Sequence, residues 1–435
     1  MLTNRKPIYQ HISKFTPRFV SKLNHASDLE RTLTWRPDIV PDKESNNFST
    51  TLLYSQGSDI YEFEAEFPLD ILPYPIDDEE EDEAADKNDE AQYGVKQSSD
   101  IANSPKWVYQ GETVSKMTYM DDLNDSALIA MSKNGSMAWF KDDCKVPVHI
   151  VQEMMGPSTS FASMHSGQKS AELAISDFSL SMDNETIVKS QSNGFEEESI
   201  LKIIDNSGKP GDVLRTTRVP GTVITHTVRF FDNHLYASCS DDNIIRFWDT
   251  RTGDKPLWIL SEPMIGKLTT FDASPATEHL FATGFSTGLI KLWDARATYE
   301  ATIDLSYRQN GEDPIQVETA KVFHSGGDSV VDLKFSETAS SEFVTVGGSG
   351  NVYHWNMEYV FSRNDDDNED YMPSLEPEDF QSHCLKFCQP SSVRSGVRNS
   401  VALHPLVYDL SATISNNNSI TLYKPLDVSS FEKKD

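Results

Sequence analysis

The stretch from Leu235 to Arg251, LYASCSDDNIIRFWDTR, constrains the fold of this chain more than any other. It reads as a strand, a tight Asp241-Asp242-Asn243 turn and a second strand closed by Trp248-Asp249. Upstream, the run HTVRFF from His226 opens a further strand. A buried Trp248 indole needs an acceptor for its N–H, and the Ser238 hydroxyl is placed to be one. The same hydroxyl is expected to pass a hydrogen bond to the His226 ring, with Asp242 orienting the imidazole. Such a network locks strands together and catalyses nothing.

The unit recurs. LTTFDAS…LFATGFSTGLIKLWDAR ends on Trp293-Asp294, and VVDLKFS…FVTVGGSGNVYHWN ends on Trp355-Asn356. WVYQ, VSKMTYM, ALIAMS and SMAWF form an earlier copy with Trp139 in the Trp place. Weaker copies end at Phe63, at Ile204-Asp205 and at Tyr423. Seven units of about 40–45 residues each are the signature of a β-propeller built from Trp-Asp repeats. The expected fold is therefore all-β: a seven-bladed propeller over residues 30–425, a helical segment over 1–29 and a tail over 426–435.

Two stretches exceed what seven blades need. Within 76–105 lies DDEEEDEAADKNDE, which has no apolar residue large enough to bury and reads as disordered. Within 361–382, NDDDNEDYMPSLEPEDF mixes acids with Tyr371, Met372, Leu375 and Phe380 between the sixth and seventh units. That mixture suits a recognition loop, or a solubilising one. At the other end, Ile8, Ile12, Phe15, Phe19 and Leu23 fall at helical spacing, and no acid precedes Asp28. An amphipathic helix docked on the propeller is the expectation, with a mitochondrial transit peptide as the competing one.

Lys+Arg number 38 against 68 Asp+Glu, a net charge of −30. Such a surface repels phosphates, which argues against sequence-specific DNA binding and favours basic protein partners. There is no apolar run near a membrane span and no signal-peptide core. The four scattered cysteines fit a reducing compartment.

Motifs that resemble catalytic sites fail on context. Gly284-Phe285-Ser286-Thr287-Gly288 matches G-x-S-x-G, but it joins two strands where a nucleophile elbow needs strand, turn and helix. Gly347-Gly348-Ser349-Gly350 lacks the Lys-Ser/Thr of a phosphate loop. His383, Cys384 and Cys388 have no fourth ligand at zinc-site spacing. The chain reads as a non-enzyme, without metal or cofactor.

The strings TLLYSQGSDIYE, SPKWVYQGETVSKM, AMSKNGSMAWFKD, VRFFDNHLYASCSDDNIIRFWDTRT and LFATGFSTGLIKLWDARA closely resemble the yeast WD-repeat transcriptional modulators, and the resemblance runs from about Pro7 to Pro425. It implies a nuclear protein, with the cytoplasm as a second location, engaged in repression of meiotic genes and in silencing. Histone deacetylase corepressor subunits, and core histones, are the partners it implies. The ribonucleotide reductase small subunit, held in the nucleus, is the alternative partner. The family is similar in turn to histone-binding propellers of the retinoblastoma-associated type, which grip a helix between an N-terminal helix and an acidic loop. Carried over, the acidic side would be Asp365, Asp366, Asp367, Glu369 and Asp370, and the apolar side Ile12, Phe15 and Phe19. The basic N-terminal segment is equally suited to pair with that acidic loop and close the groove.

Overall fold

Short apolar-rich runs form the strands, and the second and third strands of most blades are buried on both faces. The computed structural model describes residues 7–15, 31–42, 44–72, 104–120, 128–153, 175–193, 198–262, 266–307, 318–358, 377–391, 398–415 and 419–426. Its strands fall into seven antiparallel sheets, the blades of a propeller.

Blade one comprises Leu33–Trp35, Asn47–Gln56, Asp59–Pro68 and Trp107–Val108, with Val40–Asp42 as a short fifth strand beside Asn47–Gln56. Trp107, which the sequence suggests as the opening of the second repeat, is thus the last strand of the first blade. Blade two runs Val114–Tyr119, Leu128–Ser132, Met137–Phe140 and His149–Val151, and blade three Ile175–Leu180, Thr186–Asn193, Glu198–Asp205 and Val213–Arg218. Blade four is Thr225–Phe230, Leu235–Ser240, Ile244–Asp249 and Trp258–Ser261. Blade five is Leu268–Ala273, Leu280–Phe285, Leu289–Asp294 and Glu318–Phe323. Blade six is Val330–Phe335, Glu342–Gly347, Val352–Asn356 and Leu385–Gln389. Two helices, Ala295–Tyr307 and Pro377–Cys384, interrupt third-to-fourth connections in blades five and six. No helix among the described residues is long and apolar enough to cross a membrane.

Blade seven takes three strands from the end of the chain, Arg398–Leu403, Ser411–Ser415 and Ile420–Pro425, and its fourth from the beginning. Residues Tyr9–Phe15 are that strand, paired with Ile420–Pro425 from Tyr9 opposite Pro425 to Phe15 opposite Ile420. This corrects the expected N-terminal helix. The exposed pair Ile8 and Ile12 and the buried pair Ser13 and Phe15 follow a two-residue alternation on opposite faces. A third strand left with an unpaired edge decides the matter, because pairing there satisfies a row of peptide groups that a docked helix would leave open. Phe15, 8% exposed, packs on Phe63 with ring centroids 4.7 Å apart. The long hairpin of blade one adds Phe48 and Phe67 to the same core, sealing the seam.

Candidate functional site

In three blades the indole network forms at one repeated position. Trp248 Nε1 donates to Ser238 Oγ at 2.9 Å, Trp293 Nε1 to Thr283 Oγ1 at 2.8 Å and Trp355 Nε1 to Thr345 Oγ1 at 2.9 Å. Blade six carries it furthest. Thr345 Oγ1 lies 2.7 Å from His324 Nε2, and His324 Nδ1 lies 2.9 Å from the Asp328 carbonyl. The ring is therefore neutral, with Nδ1–H donating to Asp328 and Nε2 accepting from Thr345. Burial holds its pKa down at about 4.

Blade four lacks that extension, against the sequence expectation. His324 directly follows the fourth strand of blade five, its N–H bonded to the Gly288 carbonyl, and the residue in that place before blade four is Val219. His226 sits instead in a bulge of the first strand, between the pairs Thr225–Ser240 and Thr227–Cys239. Its ring meets Thr227 Oγ1 at 3.1 Å and Cys239 Sγ at 3.6 Å, and does not reach Ser238. Asp242 is engaged by Arg246 at 2.5 Å and by the Ile244 N–H.

Trp139 is displaced by one residue. Ala130, the counterpart of Ser238 opposite the first strand, pairs with Ala138, so Phe140 holds the place that Trp248 holds in blade four. A one-residue shift turns a side chain to the other face, and Trp139 accordingly faces blade three and donates to Asn206 Oδ1 at 2.8 Å. In blade seven the Trp place holds Tyr423, whose hydroxyl meets His354 Nε2 of blade six at 2.9 Å. Thr413 Oγ1 is left without a partner among the described residues.

The first strands add a belt of charge around the axis that the sequence reading missed. Lys116 Nζ lies 2.7 Å from Asp177 Oδ1, Arg229 Nη1 2.6 Å from Asp177 Oδ2 and Arg229 Nε 2.9 Å from Asp272 Oδ1. Burial alone would raise Asp177, but the two cations and the Val228 N–H hold it down at about 2. Asp272, with one cation and the Phe335 N–H, is raised by burial. Alternating signs on consecutive blades pair with one another, so the belt stitches blades two to five together. Among the described residues no group of three or more His, Cys, Asp or Glu is arranged to hold a metal ion. The Ser286-Thr287-Gly288 turn joins two strands, and a Cβ on Gly288 would lie 2.7 Å from the Asp328 carbonyl, so this glycine is there for close packing.

Of the residues expected to meet a partner, Ile12 is exposed on the outer strand and Phe15 is core. Phe19 and Asp365, Asp366, Asp367, Glu369 and Asp370 lie outside the described residues. Both acidic stretches fall within third-to-fourth connections, of blades one and six, whose strands run in the same sense, so their described ends emerge on one face.

The chain is similar to named proteins over nearly its whole length. It is 57% identical to the transcriptional modulator WTM2 of Saccharomyces cerevisiae, covering 98% of this chain and 96% of that protein. To the transcriptional modulator WTM1 of the same yeast it is 54% identical, covering 96% of each. To its transcriptional regulatory protein UME1 it is 38% identical over 96% of this chain and 91% of that one. No family model matches the sequence. Among solved structures, a chain of the crystal structure of the mitotic checkpoint complex superposes with a TM-score of 0.54 at 12% identity, covering 97% of this chain and 96% of that one. That likeness concerns the fold alone. The long identities with the yeast proteins carry more: this chain belongs to the family of yeast WD-repeat transcriptional modulators.

Proposed function

We propose that this chain is a non-enzymatic nuclear adaptor that modulates transcription by holding protein partners on a rigid propeller. The observation that carries the reading is its end-to-end identity with proteins named as transcriptional modulators. The structure is consistent in kind: Lys116, Asp177, Arg229 and Asp272 of the first strands are engaged in ion pairs that tie blades together. The proposed partners are subunits of a histone deacetylase corepressor complex and core histones, and the proposed outcome is repression of meiotic genes and silencing. The net charge of −30 favours basic partners of this sort. Asp365, Asp366, Asp367, Glu369 and Asp370 are proposed as their acidic contact, and the exposed Ile12 of the outer strand as an apolar one.

The test is affinity capture of the tagged protein from nuclear extract, washed at low and then high salt, with mass spectrometry of each fraction. Deacetylase subunits and histones that elute steeply with salt support the reading. Capture of the ribonucleotide reductase small subunit without histones, resistant to salt, replaces it with a nuclear anchor. Neutralising Asp365 to Asp370 without loss of histone capture removes the loop from the contact.

A further inference from the structure

We infer that the outer edge of the strand Asp59–Pro68 receives an extended basic segment of a partner as an added strand. The blade-one hairpin is unusually long: Asn47–Gln56 pairs with Asp59–Pro68 along ten residues. On the other side the fourth strand, Trp107–Val108, pairs with Asp59 and Ile60 alone. From Glu62 onward that edge meets no other strand among the described residues.

The direction of its peptide groups follows from neighbours already bound. Tyr109 N–H donates to the Ser58 carbonyl and Lys106 N–H to the Ile60 carbonyl. Peptide groups repeat every two residues along a strand, so those of Glu62, Glu64 and Glu66 point to the open edge. Their side chains lie on one face, while Phe63, Ala65 and Phe67 are buried on the other.

The chain itself shows how such an edge is filled. Lys106 gives its N–H to Ile60 and places its ammonium 2.8 Å from Glu62 Oε1. One residue therefore makes both the main-chain bond and the ion pair. Its own predecessor, Pro105, has no N–H with which to continue. Glu64 and Glu66 repeat the Glu62 pattern one and two steps further along. A segment with Lys or Arg at alternate positions would answer each step with a hydrogen bond and a cation. A second copy of this edge is repelled by the same carboxylates.

This edge is one contact of the adaptor proposed above, and its test is independent of cell extract. The full chain is titrated against a fluorescent peptide of alternating lysine and valine by anisotropy, at low salt. Two further peptides carry N-methyl groups, on the lysine amides in one and on the valine amides in the other. Lysines opposite the glutamates are the residues whose amides face the edge. Methylating them is expected to weaken binding at least tenfold, while methylating the valine amides leaves it unchanged. The E64Q/E66Q double variant, checked for fold by circular dichroism, is expected to lose a similar factor. Equal binding of the two methylated peptides, no binding of the parent peptide, or unchanged binding to E64Q/E66Q overturns the proposal. Any of these would leave the adaptor reading standing on the capture experiment.

Discussion

Two threonines of the same type, at the same repeated position, are predicted to respond in opposite ways to the same substitution. Thr345 and Thr413 are both buried in second strands, and valine replaces either with almost no change of shape. Thr345 Oγ1 accepts from Trp355 Nε1 and donates to His324 Nε2. Thr345→Val strands both groups, each buried, at about 1–3 kcal/mol apiece, or about 2–6 kcal/mol together. Thr413 Oγ1 has no partner among the described residues, because Tyr423 sends its hydroxyl to His354. Removing a buried, unbonded hydroxyl relieves a desolvation cost, so Thr413→Val is expected to stabilise by about 1 kcal/mol or more. Urea unfolding followed by tryptophan fluorescence reads both as shifts of midpoint at unchanged slope. If Thr413→Val destabilises as much as Thr345→Val, the repeated hydroxyl stabilises by packing and the network account of the blades is wrong.

Other outcomes follow from the same geometry. Burial holds His324, His354 and His404 at about 4. Their unfolded forms take up protons near 6.5, so stability is full above that value and falls as pH drops from about 6.5 to 4. Denaturant midpoints measured between pH 7 and 4 should show this slope, and His404→Gln should reduce it. Asp177→Ala leaves Lys116 and Arg229 without their shared carboxylate and should cost about 3–5 kcal/mol; a double-mutant cycle with Arg229 checks that the loss is one shared term. Phe15→Ala should cost about 3–5 kcal/mol and Ile12→Ala within about 0.5 kcal/mol, a contrast that a docked N-terminal helix would not produce.

The legible part of the fold was the local part. Ser238 with Trp248, and the matching tryptophans Trp293 and Trp355, sit in one hairpin each, so spacing along the chain specifies the contact. The histidine is a different case. Its place is set by the residue following the fourth strand of the preceding blade, and residue type alone pointed to His226 where the geometry has Val219. Trp139 was misplaced because identity outweighed register: a tryptophan beside a phenylalanine looks like the anchor, and only the strand pairing shows that Phe140 is. The N-terminal segment failed for a physical reason. Ile8, Ile12 and Phe15 satisfy a helical stripe, and the strand that overrides it comes from Ile420–Pro425 at the far end of the chain. The axial belt and the Glu62–Glu66 edge were invisible for the same cause: each depends on which blades are neighbours, or on a fourth strand being two residues long.

The seam in blade seven also sets a timetable for synthesis. Of the described strands, Tyr9–Phe15 leaves the ribosome first and its partner Ile420–Pro425 last. At about 5–20 residues per second, the first strand waits for about 20–80 s before anything can pair with it. During that interval the core face around Phe15 and Phe63 has no lid, and the growing chain is an open arc with two sticky ends. Every prematurely terminated product stays in that state permanently. Closure of the ring is therefore the structural difference between a finished copy and an unfinished one.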